Sequence, residues 1–265
     1  MSAAPGSPQA ATLAGRRIVV TRPAGQADAL AGMIEARGGR AIVFPVIEIR
    51  DVEDVRPLLA VVDRLETYDL AVFISPNAVA KAMNLILARR AWPQGLVAAA
   101  VGRESERALV RHGVGRTVAP RERFDSEALL ALPELADVAG KRVVIFRGDG
   151  GRELLGDTLT ARGATVEYAE CYRRTRPVAD VAPLLTAWAR GEIDAVTVTS
   201  SEGLANLFDM VGKLGQQWLR RTPLFAPHER IAANARALGL ERVVLTGPAD
   251  AGLVAGLEAF FAKLP

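Results

Sequence analysis

The sequence predicts an α/β protein built as two doubly wound domains, each a parallel sheet covered by helices on both faces. Three observations carry this. The chain has 265 residues, and at roughly 150 residues per domain that length points to two domains. Short β-branched runs alternate with helical stretches along the chain, the pattern of strand–helix–strand units in a parallel sheet. The chain also repeats itself. GRRIVVTRPAGQADALAGMIEARGG from Gly15 lies without a gap over GKRVVIFRGDGGRELLGDTLTARGA from Gly140, a spacing of 125 residues. Gly15/Gly140, Arg22/Arg147, Gly25/Gly150, Leu30/Leu155 and Gly38/Gly163 coincide. DLAVFISPNAVAKAM from Asp69 lies over DAVTVTSSEGLANLF from Asp194 at the same spacing, matching Asp69/Asp194, Ser75/Ser200 and Ala80/Ala205. A third pair aligns Gly113 with Gly239. Three matches in order at nearly one spacing indicate two similar halves.

The elements follow in turn. Arg17–Thr21 suits a buried parallel strand. Residues 26–37 place Ala27, Leu30 and Ile34 at helical spacing, and Gly38-Gly39 ends the helix. Residues 41–44, 70–74, 96–101 and 116–118 read as strands; 55–65, 77–87 and 104–112 read as helices. The predicted architecture is flavodoxin-like. Two stretches break the rhythm, FPVIEIRDV (44–52) and EYAECYRRTRPV (167–178). Both alternate apolar and polar residues and occupy equivalent places in the halves. They are either paired linkers or ordinary edge strands of their own domains.

Composition excludes several classes. Half the residues are hydrophobic and 24% are charged, which is globular. One cysteine (Cys171) and two histidines (His112 and His228) leave no intrachain disulfide framework and too few ligands for a Cys/His zinc site. No apolar run reaches the roughly 18–20 residues of a membrane span. The first fifteen residues lack the charge and apolar core of a signal peptide, so a cytoplasmic protein with a flexible tail over 1–14 is expected. A net charge of +3 is too even for a dedicated nucleic-acid binder. Lysine occurs only at 81, 141, 213 and 263, so nearly all 33 basic residues are arginine. That bias fits either a GC-rich genome or a need for bidentate contacts to anions.

Ligands of open α/β sheets bind beyond the carboxyl ends of the strands. Five candidate loops fall there. Thr21-Arg22-Pro23-Ala24-Gly25 follows the first strand. Arg147-Gly148-Asp149-Gly150-Gly151-Arg152 follows its repeat, with glycines that let backbone N–H groups approach a ligand at a helix start. It is neither GxGxxG nor a Walker loop, which disfavours a nucleotide-dependent transferase. Its glycines serve either an anion or a plain turn. Ser75-Pro76-Asn77 and Ser200-Ser201-Glu202 are strong helix starts, so these serines cap helices or meet a ligand carboxylate. Gly102-Arg103-Glu104-Ser105 joins another strand to a helix. Glu153 reads as an ordinary first-turn helix acid. His112, before Gly113, reads as a helix-end cation. The residues thus predict an interdomain cleft ringed by Arg, Ser and backbone donors, suited to a ligand with several negative charges. An enzyme and a non-enzymatic two-lobed binding protein or sensor for a polyanionic small molecule both satisfy that description.

VTRP (20–23), FISPNAV (73–79), AVGRESERAL (100–109), FRGDGGRELLGDTLTARGATVEY (146–168), ECYRRTRP (170–177) and TVTSSEGL (197–204) together resemble the uroporphyrinogen-III synthase family. The likeness runs from Gly15 to about Leu257 and is most specific over 146–177. It implies a cofactor-free and metal-free cyclising lyase of haem (tetrapyrrole) biosynthesis. Hydroxymethylbilane, a linear tetrapyrrole polycarboxylate, would lose water and close with ring D inverted through a spiro intermediate. It implies a monomer whose halves exchange their first strand–helix–strand units. One domain would be 15–43 plus 177–265 and the other 53–168. Linkers 44–52 and 169–176 would form a two-stranded antiparallel ladder. By the same resemblance Tyr172 is the candidate general acid, since a phenol is protonated at neutral pH and can donate. Ser75, Ser200 and Ser105 match hydroxyl residues of the family's cleft. The expected substrate-binding set is Arg22, Ser75, Asn77, Gly102, Arg103, Ser105, Arg147, Gly148, Gly150, Arg152, Ser200 and Ser201. The chain departs at Ile231, where some members carry a hydroxyl residue.

Overall fold

A computed structural model describes residues 11–263. In chain order, β1 (Arg17–Val20), α1 (Asp28–Glu35) and β2 (Arg40–Val43) come first, followed by β3 (Glu48–Arg50). Then come α2 (Arg56–Asp63), β4 (Leu70–Phe73), α3 (Pro76–Arg89), β5 (Val97–Ala100), α4 (Arg103–Arg111) and β6 (Thr117–Val118). The short helices α5 (Ser126–Leu130) and α6 (Pro133–Ala136) lead to β7 (Arg142–Gly148), α7 (Leu154–Ala161) and β8 (Thr165–Thr175). The rest is α8 (Ala182–Ala189), β9 (Ala195–Thr197), α9 (Ser201–Met210), α10 (Gly212–Arg221), β10 (Leu224–Ala226), α11 (Glu229–Ala237), β11 (Val243–Leu245) and α12 (Ala249–Phe261).

The chain divides into two units. One joins the chain up to Glu48 with the chain from Thr175 onward; the other is Ile49–Arg174. The first unit holds a five-stranded sheet in the order β2-β1-β9-β10-β11, parallel throughout. Numbered along its own chain that is 2-1-3-4-5, the flavodoxin-like order. The second unit holds β3-β8-β7-β4-β5-β6, with β8 through β6 parallel. Its five parallel strands have the same spatial order, but β4–β6 precede β7–β8 in sequence. Each sheet therefore joins strands from both sequence halves: β1 pairs with β9, and β7 with β4.

The sequence repeat extends to register. Ile18 faces Ala195 in one sheet and Val143 faces Leu70 in the other. Arg17 faces Arg40, and Arg142 faces Thr165. Each of these pairs maps onto its counterpart by the same 125-residue spacing. The repeated aspartates act at this joint. Asp194 Oδ2 accepts from Arg17 N at 2.8 Å, and Asp69 Oδ2 accepts from Arg142 N at 2.8 Å. Each carboxylate thus caps the start of the strand beside its own.

Side chains of a strand alternate between faces, so a sheet covered on both sides feeds two cores. In the second unit Ala71, Phe73, Val144 and Phe146 enter one cluster, and Leu70, Val72, Val143 and Ile145 the other. Phe73 stacks on Phe146 at 4.8 Å between centroids. In the first unit Ile18, Val20, Leu30, Ile34, Phe225 and Leu257 form a core. Ile231, the departure noted above, is buried on α11. The two segments that broke the alternation are extended. The first contributes β3 beside β8, and the second supplies all of the eleven-residue strand β8 but its first two residues. Among the described residues no helix is long and apolar enough to cross a membrane.

Candidate functional site

Tyr172, Ser75 and the glycine loop after β7 meet within the second unit. β4 ends at Phe73, and Ser75 stands as the extended N-cap of α3, accepting from Ala78 N at 3.1 Å. Its Oγ also lies 3.0 Å from Tyr172 Oη, with either hydroxyl able to donate. Tyr172 reaches this position through an irregularity in β8. Arg147 faces Glu170, but the next residue, Gly148, faces Tyr172. Cys171 is the extra residue, and such a bulge re-aims the side chain that follows it. Cys171 and Tyr172, adjacent in sequence, are consequently both buried in one core.

Gly148 makes room for the phenol. A Cβ there would lie 2.6 Å from Tyr172 Cε2 and 2.7 Å from Cζ. The ring rests against bare backbone, and Asp149 N donates to Tyr172 O at 2.9 Å. Asp149 Oδ1 accepts from Arg174 N at 3.0 Å, tying the loop to β8 a second time.

Arg147 shapes the rest of the loop. It is 4% exposed. Its Nε donates to Gly150 O at 3.2 Å, and its Nη1 donates to Glu153 at 3.1 and 3.3 Å. The guanidinium lies 4.7 Å from the Tyr168 ring centroid. Gly150 takes φ +64° and Gly151 φ +122°, which L side chains rarely adopt. Arg147 Nη2 is buried without a hydrogen-bond partner among the described residues. It is the one nitrogen of this guanidinium that makes no hydrogen bond among the described residues.

Sequence reasoning missed Tyr168, Glu153 and Gly156. Glu153 is more than a helix acid. A hydrogen bond from Tyr168 and the Arg147 guanidinium hold its carboxyl below the usual range. Burial, and then Glu153, push the Tyr168 phenol up to about 12. The Tyr168 hydroxyl sits against α7 where Gly156 lacks a side chain; a Cβ there would lie 1.9 Å from Oη. An isolated glycine inside a helical pattern was the available signal.

The remaining arginines of the expected set are engaged within their own units. Arg152 Nη2 bonds Glu127 Oε1 at 2.6 Å. Arg103 donates to Arg121 O at 3.0 Å and lies over the Phe124 ring at 4.9 Å. Gly102 caps α4, and Ser105 is buried in its first turn. Asn77 lies in the first turn of α3.

The first unit carries a parallel arrangement at its own carboxyl ends. Thr21 Oγ1 donates to Thr197 O at 2.8 Å, and Thr197 Oγ1 donates to Val19 O at 3.1 Å. Arg22 pairs with Asp250 at 2.5 Å. Ser200 caps α9 through Gly203 N at 2.9 Å, as Ser75 caps α3. Ser201 Oγ is buried without a hydrogen-bond partner among the described residues. His228 is the N-cap of α11 and His112 the C-cap of α4. Among the described residues no three His, Cys, Asp or Glu side chains gather as a metal site.

Comparison with known proteins places these features in a family. A sequence model described as uroporphyrinogen-III synthase HemD matches residues 28–255. The chain is 37% identical over 235 residues to the uroporphyrinogen-III synthase of Escherichia coli K12, covering 88% of this chain and 96% of that protein. It is 41% identical over 240 residues to that of Salmonella typhimurium, with the same coverage. Its fold is similar to a crystal structure of a mutant uroporphyrinogen III synthase from Thermus thermophilus, with a TM-score of 0.63 at 21% identity over 94% of this chain and 99% of that one. The uroporphyrinogen-III synthetase structure from Helicobacter pylori gives a TM-score of 0.56 at 15% identity, covering 93% of this chain and 99% of that one. With the family model spanning most of its length and relatives this similar over nearly nine-tenths of it, the chain belongs to the uroporphyrinogen-III synthase family.

Proposed function

We propose that this protein is the enzyme that converts hydroxymethylbilane to uroporphyrinogen III in haem biosynthesis. Membership of the family across most of the chain carries this reading. The Tyr172–Ser75 pair and the glycine loop beside it supply a chemical site for it.

The reaction begins at the hydroxymethyl group of ring A, at the opposite end of the linear chain from ring D. Tyr172 Oη donates its proton to the departing hydroxyl. The C–O bond breaks with its electron pair going to oxygen, and water leaves. The remaining azafulvene is electrophilic at the exocyclic carbon. The substituted carbon of ring D bonds to the electrophile first, giving a spiro centre. The bond from that centre to the methylene bridge towards ring C breaks, leaving an azafulvene on ring C, and the free α-carbon of ring D bonds to that bridge carbon, which inverts ring D. Loss of a ring proton restores the pyrrole, and that proton returns to the Tyr172 oxygen. Ser75 accepts from Ala78 N–H. Its own hydroxyl hydrogen is therefore free to stabilise the phenolate while it exists. A positioned acid of this kind contributes about 10²–10⁴-fold. Holding the chain so that the substituted carbon reacts first contributes several kcal/mol more.

The substrate's carboxylates meet arginines and backbone donors at the carboxyl ends of the strands. Arg22 and Arg152 each already hold an internal carboxylate. A substrate carboxylate displaces Asp250 or Glu127, so recognition proceeds by exchange of partners. Arg147 stays locked in its loop and offers only Nη2. Gly148, Gly150, Gly102, Arg103, Asn77, Ser105, Ser200 and Ser201 complete the proposed binding set.

One assay tests the function. The protein is incubated with hydroxymethylbilane, and the products are oxidised and resolved as type I and type III porphyrins. A large excess of type III over the buffer control is expected. Product indistinguishable from buffer overturns the proposal and leaves a binding protein as the reading.

A further inference from the structure

A cavity of about 310 Å³ opens in the first unit, at the end of the sheet opposite Thr21 and Ser200. Arg16 precedes β1, Asp194 precedes β9, Thr222 and Pro223 precede β10, and Arg242 precedes β11; all line it. Its walls are aromatic: Trp188, Trp218, Phe260 and Phe261. Trp188 is held in place by its Nε1–H donating to Thr222 Oγ1 at 3.0 Å.

The charge here is lopsided. Arg16, Arg221 and Arg242 face a single carboxylate, Asp194. That carboxylate is already used, accepting from Arg17 N at 2.8 Å and from Arg16 Nη1 at 3.4 Å. Arg242 rests over the Phe260 ring at 5.3 Å, and Arg16 over Phe261 at 4.8 Å. Arg221 and Arg242 have no ion-pair partner among the described residues. Arg22, Arg37, Arg64, Arg89 and Arg152 all have one.

The repeat shows what is missing. In the second unit Tyr68 stands at the position equivalent to Ile193, which lines the cavity. Its hydroxyl donates to Glu167 Oε2 at 2.5 Å, Arg64 Nη2 bonds Glu167 Oε1 at 2.6 Å, and Arg142 lies over the Tyr68 ring at 5.2 Å. At the 125-residue spacing, Ile193 stands in place of Tyr68 and Ile42 in place of Glu167. At Ile193 the first unit therefore has no phenol, and Arg17, the counterpart of Arg142, pairs with Glu192 at 2.8 Å and leaves the cavity to Arg16, Arg221 and Arg242.

We propose that this cavity binds a small, flat aromatic anion. The ring stacks among Trp188, Trp218 and Phe260, and the acidic group is held by Arg221 and Arg242. Guanidinium groups recognise carboxylates, sulfonates and phosphates alike, and aromatic walls add stacking. The volume is at the low end for small-molecule sites, which run about 300–1,000 Å³. It admits one or two fused rings and is too small to enclose a tetrapyrrole, so the ligand is a different compound from the substrate.

Isothermal titration of the full chain with 2-naphthoate, against neutral 2-naphthamide, tests this. One saturable site is expected for naphthoate. Naphthamide should bind at least tenfold more weakly, and added salt should weaken naphthoate. Arg221 and Arg242 are exposed, so an Arg221→Gln/Arg242→Gln variant should fold normally, checked by circular dichroism, and lose at least tenfold in affinity. Tyr172→Phe should bind naphthoate as the parent does. Absence of saturable binding up to about 1 mM overturns the proposal. So does equal affinity for acid and amide, or unchanged affinity in the double variant.

Discussion

The proposed chemistry turns on the phenol of Tyr172. Replacing it with phenylalanine keeps the ring against Gly148 and removes only the hydroxyl. Turnover should fall about ten- to a thousandfold with KM nearly unchanged, the mark of a group that acts in the transition state. Steady-state kinetics with isomer analysis measures both. Gly148→Ala acts by crowding. Its methyl would sit 2.6 Å from the ring, so Tyr172 must shift, at a stability cost of about 1–3 kcal/mol. A lowered melting temperature together with a loss of turnover at least as large as in Tyr172→Phe is expected. The Glu153–Tyr168 pair gives a pH dependence. The Glu153 carboxyl is held below its ordinary value by Tyr168 and then Arg147. Its contribution to the fold is thus present above the ordinary glutamate pKa and lost as pH falls through the lowered one. Tyr168 is raised to about 12, chiefly by burial and then by Glu153. Its contribution is present below the ordinary phenol pKa and lost as pH climbs towards 12. Tyr68 is also raised to about 12, so two phenols should titrate late by ultraviolet absorbance. In Glu153→Gln one of the two should titrate earlier; two unchanged late phenols would show that Glu153 does not hold Tyr168.

Strand ends do at the level of the element what Tyr172 does at the level of the residue. Asp69 and Asp194 each accept the first N–H of the neighbouring strand. Asp69→Ala and Asp194→Ala should each cost about 1 kcal/mol. The double variant should show nearly the sum, because separated sites with no shared partners add. Chemical denaturation of the three variants measures this. The bulge in β8 is the other decisive element. In a regular strand the adjacent Cys171 and Tyr172 would face opposite sides; the bulge lets both enter one core.

For the molecule as a whole, the two units differ in how the chain builds them. The second is one continuous stretch, Ile49–Arg174, while the first needs both ends of the chain. Residues 49–174 contain six strands of one sheet and both of its core clusters, apart from the outermost residues of β3 and β8. Expressed alone, that fragment should fold and melt cooperatively. Neither 11–48 nor 175–263 alone should, because β1 lies between β2 and β9, with one partner from each segment. Calorimetry of the three fragments decides this.

By itself the sequence determined the alternating α/β pattern, the duplication and its spacing, the helix caps at Ser75 and Ser200, and the loops that follow the strands. Those features are local or periodic, so neighbours along the chain suffice to encode them. Its motifs also carried the resemblance to the family and singled out Tyr172. Which face Tyr172 occupies, and that it meets Ser75, was decided only in three dimensions, since a bulge is a mismatch between two strands and has no signature in either one. The same is true of the arginines. Read as a series they look like free anion binders, yet Arg22, Arg147 and Arg152 close on Asp250, Glu153 and Glu127. The partner of Arg22 lies far away in the chain, and folding alone brings the two charges together.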